Sequence, residues 1–203
     1  MNKLLLHICC GPCSLYPIKA LRQNSIEPIG YFYNPNIHPF KEFERRVKAL
    51  QTVGQTLDFD IIWDPSGYGL NRWLQGLNGV TDYGKRCLIC YKMRLEQTAY
   101  HATILGIDTI STTLLYSKYQ FHEAIKEIGK ECAEQYGVKF YYEDFRKGWV
   151  EGIKQSKTLD IYRQPYCGCI FSEYDRYKKQ ADKLKKKFST SYNQIKKEET
   201  TLQ

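Results

Sequence analysis

Seven of the eight cysteines in this 203-residue sequence fall into three tight clusters. They are Cys9-Cys10-Gly11-Pro12-Cys13, Cys87-Leu88-Ile89-Cys90 and Cys167-Gly168-Cys169. Thiolates are soft metal ligands and also nucleophiles and electron carriers, so clustered cysteines point to metal binding, redox chemistry or both. The eighth, Cys132, stands on the apolar stripe of a predicted helix, where a buried thiol behaves as a small, inert hydrophobe.

Cys87 and Cys90 stand at i and i+3 at the start of a predicted helix, so both sulfurs face one way. The helix N-terminus, with Lys85 and Arg86 beside it, is expected to lower their pKa values. The first cluster also lies where a strand ends and a helix begins. In a doubly wound sheet that is where the ligand crevice opens, so the two clusters can converge there. Structural zinc on Cys10, Cys13, Cys87 and Cys90 is one reading. It separates the two pairs by more than seventy residues, against roughly 15–20 in compact zinc ribbons. It also leaves Cys9, Cys167 and Cys169 unemployed. An iron–sulfur cluster uses four thiolates too and leaves the remaining thiols for electron transfer. Both remain open on spacing, with iron–sulfur the better fit. Cys10-Gly11-Pro12-Cys13 also matches the thioredoxin active-site motif, but a thioredoxin-like dithiol domain is much shorter and explains neither Cys9 nor the other clusters. Two thiols separated only by Gly168 can close a strained disulfide, of the oxidising kind found in catalytic pairs.

The elements that must position these thiols follow from periodicity. Lys3–Ile8, Pro28–Tyr33, Asp60–Trp63, Thr109-Ile110 and Lys139–Tyr142 read as short buried strands. Between them lie helical patterns from Ser14 as cap to about Gln23, and over 39–55, 69–77, 87–105 and about 121–136, with a further helix over Gly148–Ser156. Strands alternating with helices predict an α/β protein with a mostly parallel, Rossmann-like sheet and a helical C-terminal part. The chain divides into a catalytic domain over 1–175 and a basic tail over 176–203, helical or partly disordered.

The net charge of +8 suggests an acidic partner such as nucleic acid. It is unevenly spread: the tail carries nine basic and three acidic residues, leaving a net +2 for 1–175. Solvated basic helix with a frayed last ten residues is the plain reading of the tail, and a phosphate-backbone contact the sharper one. The apolar run Leu4-Leu5-Leu6 ends at His7-Ile8 and is too short for a signal peptide. No segment approaches the ~20 apolar residues of a membrane span. A cytoplasmic protein with reduced thiols is therefore expected.

Together the motifs resemble those of the QueH-type epoxyqueuosine reductases. The residues that carry the likeness are His7-Ile8-Cys9-Cys10-Gly11-Pro12-Cys13-Ser14, then Cys87 and Cys90 with Tyr91, Arg94 and Leu95, then Tyr166-Cys167-Gly168-Cys169. Supporting pieces are Gly30–Pro39 with Glu42, Arg45 and Arg46, and Thr112-Thr113-Leu114-Leu115-Tyr116-Ser117. The likeness runs in order from Met1 to about Lys178. It implies a fold related to the nucleotide α-hydrolase (PP-loop-like) proteins. It also implies a [4Fe-4S] cluster and the last step of queuosine synthesis, on tRNA carrying epoxyqueuosine at the wobble position. Carried over residue by residue, it makes Cys9, Cys10, Cys87 and Cys90 cluster ligands, and Cys167 and Cys169 a redox-active pair. Cys13 then holds a second metal, an iron ion, beside the cluster or replaces a neighbouring thiol. A cellular electron donor is required to re-reduce the pair.

The residues themselves agree with that chemistry. Thiols stand where PP-loop enzymes carry an anion-binding loop, and no Gly-rich phosphate loop occurs elsewhere, which argues against ATP use. Tyr33 and Tyr116, with Tyr31, Tyr119 and Tyr166, are candidates to stack on a splayed base, though about half such tyrosines are expected in the core. Arg45, Arg46 and Arg94 are candidate phosphate contacts, against the plainer reading of solvated helix arginines. His7 reads as a hydrogen-bonded core histidine, while His38, Glu42, Asp82 and Asp144 are candidates for proton delivery.

Overall fold

The structure is a computed structural model that describes residues 2–201, with side chains over residues 3–192. Three consecutive leucines, Leu4, Leu5 and Leu6, alternate with no polar residue that would mark an outer face, so they suit a strand covered on both sides. They form strand β1 (Asn2–His7), and all three are fully buried. Each such leucine contributes about 1.5–3 kcal/mol relative to an exposed one.

Around β1 stand β2 (Ile26–Phe32), β3 (Ile61–Trp63), β4 (Thr109–Thr112) and β5 (Lys139–Phe140). All four pairings are parallel, in the order β3-β2-β1-β4-β5. The connecting helices are α1 (Gly11–Gln23), α2 (Phe40–Leu57), α3 (Leu70–Leu77), α4 (Lys85–Ile104) and α5 (His122–Gln135). α6 (Trp149–Thr158) and α7 (Ile170–Thr201) complete the chain. This is the expected Rossmann-like α/β sheet. The chain turns one way from β1 to β2 and the other way to β4, so the switch point lies between the carboxyl ends of β1 and β4. Ligands bind at that place in open parallel sheets.

The first helix departs from expectation in an informative way. It starts at Gly11 rather than after Ser14, with Cys10 in the extended N-cap position and Pro12 in the first turn. Ser14 does not cap; its hydroxyl donates to the Gly11 carbonyl at 2.7 Å. Pro17 therefore lies inside the helix rather than in its first turn. Glycine is required at 11: a Cβ there would lie 2.7 Å from the carbonyl carbon and oxygen of Ala49 in α2. That close approach draws the first thiol cluster against α2.

At the ends of the predicted helices over 39–55, 87–105 and 121–136 the apolar residues are not in the core: Leu105 is 44% exposed, and Phe40 and Phe121 are exposed, while Cys132 is buried as expected. α7 crosses residue 175 without a break. Side chains beyond Tyr192 and the final two residues, on which the expected frayed end falls, lie outside the described residues. Among the described residues no helix is long and apolar enough to cross a membrane.

Candidate active site

At the switch point the fold gathers six cysteines around one cavity of about 680 Å³: Cys9, Cys13, Cys87, Cys90, Cys167 and Cys169. Cys10 is fully buried directly behind Cys9, with sulfurs 3.8 Å apart. The sequence expectation that separated clusters converge is met, and only Cys132 stands outside the group.

The first wall is anchored on the sheet. His7 at the end of β1 is paired in register with Thr112 at the end of β4. Its Nε2–H donates to the Tyr33 carbonyl at 3.3 Å and its Nδ1 accepts from Thr112 Oγ1 at 2.9 Å. Burial, with Arg94 nearby, holds this imidazole down at about 3, so it is neutral. The Cys9 amide donates to Thr113 Oγ1 at 3.1 Å, and the Thr113 hydroxyl lies 3.4 Å from Cys9 Sγ. The sulfurs of Cys9, Cys10 and Cys13 all lie within 4.8 Å of one another, a grouping that can hold a metal ion. Hydrogen bonds from the neighbouring thiols hold Cys9 well below the usual thiol range, while Cys10 is pushed up by burial and Cys13 by its two sulfur neighbours. The Gln164 side-chain amide donates to Cys10 Sγ at 2.8 Å, with Cys13 Sγ 3.7 Å away.

Cys87 and Cys90 open α4, as the spacing predicts. Their pKa values move opposite to expectation. Burial pushes both up, outweighing the Arg86 beside Cys87 and the Arg94 beside Cys90. Metal binding by these thiols displaces their protons.

The third wall is a strap over residues 162–169, held from below. Arg46 is 1% exposed. It pairs with buried Glu42 at 2.8 Å and donates to the carbonyls of Cys167 at 2.8 Å and Tyr166 at 2.9 Å. The Tyr162 hydroxyl donates to the other Glu42 oxygen at 2.5 Å. The His38 amide donates to the Gly168 carbonyl, and the Tyr166 hydroxyl to the His38 carbonyl. Gly168 has φ +129° and packs against Arg46, so no other residue sits there without strain. Cys167 Sγ accepts from the Gln120 amide at 3.4 Å, and the Gln120 carbonyl accepts from the Tyr91 hydroxyl at 2.6 Å.

The remaining candidates separate cleanly. Tyr116 lines the cavity, stacked between Tyr16 (6.5 Å) and Trp149 (5.1 Å), with its hydroxyl donating to the Trp149 carbonyl. Tyr119 is 78% exposed at the rim, edge-on to Trp149. Tyr31 and Tyr33 are fully buried. Arg46 and Arg94 line the cavity from within the core, whereas Arg45 lies outside it, over the Tyr162 ring. The surface arginines expected at 46 and 94 are therefore interior ones, because α2 and α4 bury those faces. His38 donates through Nε2 to the Pro35 carbonyl, Asp144 pairs with Arg146, and Asp82 is exposed. None of these three lines the cavity. Trp73, Gln120 and Gln164 also line it and were not singled out from the sequence. Isolated glutamines and tryptophans carry no spacing signal, and only the fold brings them to the sulfurs.

The donor set fits a sulfur-rich, negatively charged group. Arg94 is fully surrounded, pairs with no carboxylate among the described residues and leaves its Nη2 without a partner; the indole N–H of fully buried Trp73 is likewise unmatched. Buried donors without acceptors are costly unless a bound group supplies them. Asp175 at the cavity edge is already engaged by Arg86. Fold and site thus define an α/β protein whose ligand crevice is furnished with thiols, three of them grouped closely enough to hold a metal ion.

The comparison with known families gives that class its identity. The model of the family "Epoxyqueuosine reductase QueH" matches residues 4–175. The chain is 38% identical over 177 residues to the epoxyqueuosine reductase QueH of Dehalococcoides mccartyi, covering 87% of this chain and 96% of that one. It is 38% identical over 193 residues to that of Thermotoga maritima, covering 92% and 98%. The chain belongs to the QueH family of epoxyqueuosine reductases and is an oxidoreductase.

Proposed function

We propose that the protein reduces epoxyqueuosine to queuosine at the wobble position of tRNA, in the cytoplasm. The observation that carries the reading is the convergence of six thiols on one cavity beside an unmatched buried cation. Cys9, Cys10, Cys87 and Cys90 would hold a [4Fe-4S] cluster, with Cys13 placed for a second metal, an iron ion, beside it. Bound there, the metal group supplies Lewis-acid and electron-transfer capacity at the epoxide oxygen.

The chain's own residues supply the rest. Opening the epoxide to an alkene breaks two C–O bonds and takes up two electrons and two protons, and the oxygen leaves as water. Oxidation of the Cys167 and Cys169 thiols to a disulfide releases two electrons and two protons, so the step balances. A cellular dithiol or other two-electron donor then re-reduces the pair. Gln120, held by Tyr91, orients the Cys167 sulfur. Trp149, backed by the buried Tyr116 ring, offers the face on which the splayed base stacks, and Arg94 offsets negative charge inside the cavity. Tyr33 and Arg46 act through structure, while Arg45 on the outer face is available to RNA. Residues 1–175 carry the catalysis, and 176–203 form an appendage.

The test is direct. Protein loaded anaerobically with iron and sulfide is given a chemical reductant and tRNA bearing epoxyqueuosine, and the released nucleosides are analysed by mass spectrometry. Queuosine, one oxygen lighter, is the expected product. Iron-loaded protein that leaves epoxyqueuosine intact, or colourless protein holding one tight zinc, would overturn the reading.

A further inference from the structure

Helix α7 carries more cations than any catalytic role uses. Between Arg176 and Tyr192 it has seven basic residues against one acidic. At about 100° per residue, Arg176, Lys179, Lys183, Lys186 and Lys187 fall within one stripe about 100° wide. Lys178 and Lys185 lie on the opposite flank, and Lys185 is paired with Asp182 at 3.7 Å. The five stripe residues are exposed, and none of them has an ion-pair partner among the described residues. The stripe starts at a defined place, because Arg176 lines the thiol cavity. The α7 base is fixed there: Asp175 pairs with Arg86 of α4, and Ser172 hydrogen-bonds across the Cys167-Gly168-Cys169 turn.

We infer that this stripe is a phosphate track, a docking arm for the RNA backbone that leads away from the cavity in which the base is held. The inference rests on tRNA being the substrate. From Arg176 to Lys187 the helix rises roughly 16 Å, enough to follow the backbone flanking a splayed nucleotide. Lysines on such a face read charge and spacing rather than base identity, so they contribute affinity and register. A second copy of the chain laid on the same face would meet like charges, whereas a polyanion complements it. The arm begins where the match to the QueH family model ends, at residue 175; its first residue, Arg176, lines the thiol cavity, and the lysines beyond it add grip outside that cavity.

The test uses full-length, iron-loaded protein and fluorescently labelled tRNA bearing epoxyqueuosine, with affinity measured between 50 and 200 mM salt. The variant Lys179→Gln/Lys183→Gln/Lys186→Gln/Lys187→Gln keeps helix propensity, since glutamine and lysine are similar helix formers; circular dichroism checks that it folds. Each phosphate contact removed should lower the slope of log K against log salt by about 0.7–0.9. The quadruple variant should therefore lose roughly three units of slope, bind more than tenfold more weakly near 150 mM salt and show a raised KM. The control Lys178→Gln/Lys185→Gln should stay within twofold of wild type. An unchanged slope in the quadruple variant, or an equal loss per lysine in the control, would overturn the arm. Stripe-dependent tRNA binding without conversion of epoxyqueuosine would refute the proposed reaction and leave the arm standing. Normal conversion with an unchanged slope would refute the arm alone.

Discussion

The two sides of the cavity hold their sulfurs in different ways. Cys9, Cys10 and Cys13 are built onto the sheet: β1 ends at His7, His7 is locked to Thr112 and Tyr33, and Gly11 seats α1 against α2. Cys167 and Cys169 sit on a strap that belongs to no strand or helix, kept in place by one buried ion pair, Arg46–Glu42, and hydrogen bonds to main-chain atoms. A group that must stay bound is suited by sulfurs fixed in a rigid frame. A pair that must open and close a bond is suited by a strap tied through one ion pair and main-chain hydrogen bonds rather than built into the sheet. On the proposed function, one fold places a holding site and an exchanging site across one cavity by anchoring them to different elements.

That contrast can be broken most severely at the strap's main fastening. Arg46→Met removes the charge partner of buried Glu42 and frees the main-chain carbonyls of Tyr166 and Cys167. Stranding a buried charge typically costs about 3–5 kcal/mol. Chemical denaturation should show a loss of that size, and the Cys167 thiol should become more reactive to alkylation while Cys10 stays protected. Equal exposure of both would mean the two sides are not separately anchored.

A milder cut is Gly168→Ala, which places a Cβ in a φ +129° conformation and 3.0 Å from Arg46 Nη1. Backbone strain of this kind costs about 1–3 kcal/mol. The variant should retain iron and sulfide yet convert substrate at least tenfold more slowly; loss of iron would tie the strap to the metal site. The sheet side is probed by pH. The folded His7 imidazole is held at about 3 and its ordinary value is 6.5. Its contribution is therefore complete above pH 6.5, and as pH falls the unfolded chain binds a proton that the folded chain refuses. Stability should drop by about 1.4 kcal/mol for each pH unit between those values. His7→Gln should flatten that part of the profile, and an identical slope in the variant would show that other groups cause it.

Much of this was legible in the sequence because it was written in local patterns. The Leu4-Leu5-Leu6 run marks a doubly covered strand, the alternation of strands and helices gives the parallel sheet, and the cysteine spacing marks the site. The illegible parts depend on tertiary neighbours. Arg46 and Arg94 look like surface arginines because their helices' charged faces look alike in sequence, but α2 and α4 turn these two inward. Gln120 and Gln164 reach their sulfurs from 47 and 154 residues away. The raised pKa values of Cys87 and Cys90 come from burial, which a helix N-terminus does not reveal. Ser14 resembles a cap, yet the close approach at Gly11 starts the helix earlier.

In the proposed function the sheet-anchored thiols, together with Cys87 and Cys90 of α4, hold the metal group and the strap exchanges electrons. This division is tested most directly by measuring iron, acid-labile sulfide and single-turnover queuosine formation in two anaerobically reconstituted variants. Cys167→Ser/Cys169→Ser should keep wild-type iron, sulfide and visible absorption while forming no queuosine, and Cys10→Ser/Cys90→Ser should lose both metal and product. A strap variant that forms queuosine normally, or that comes out colourless, would contradict the account.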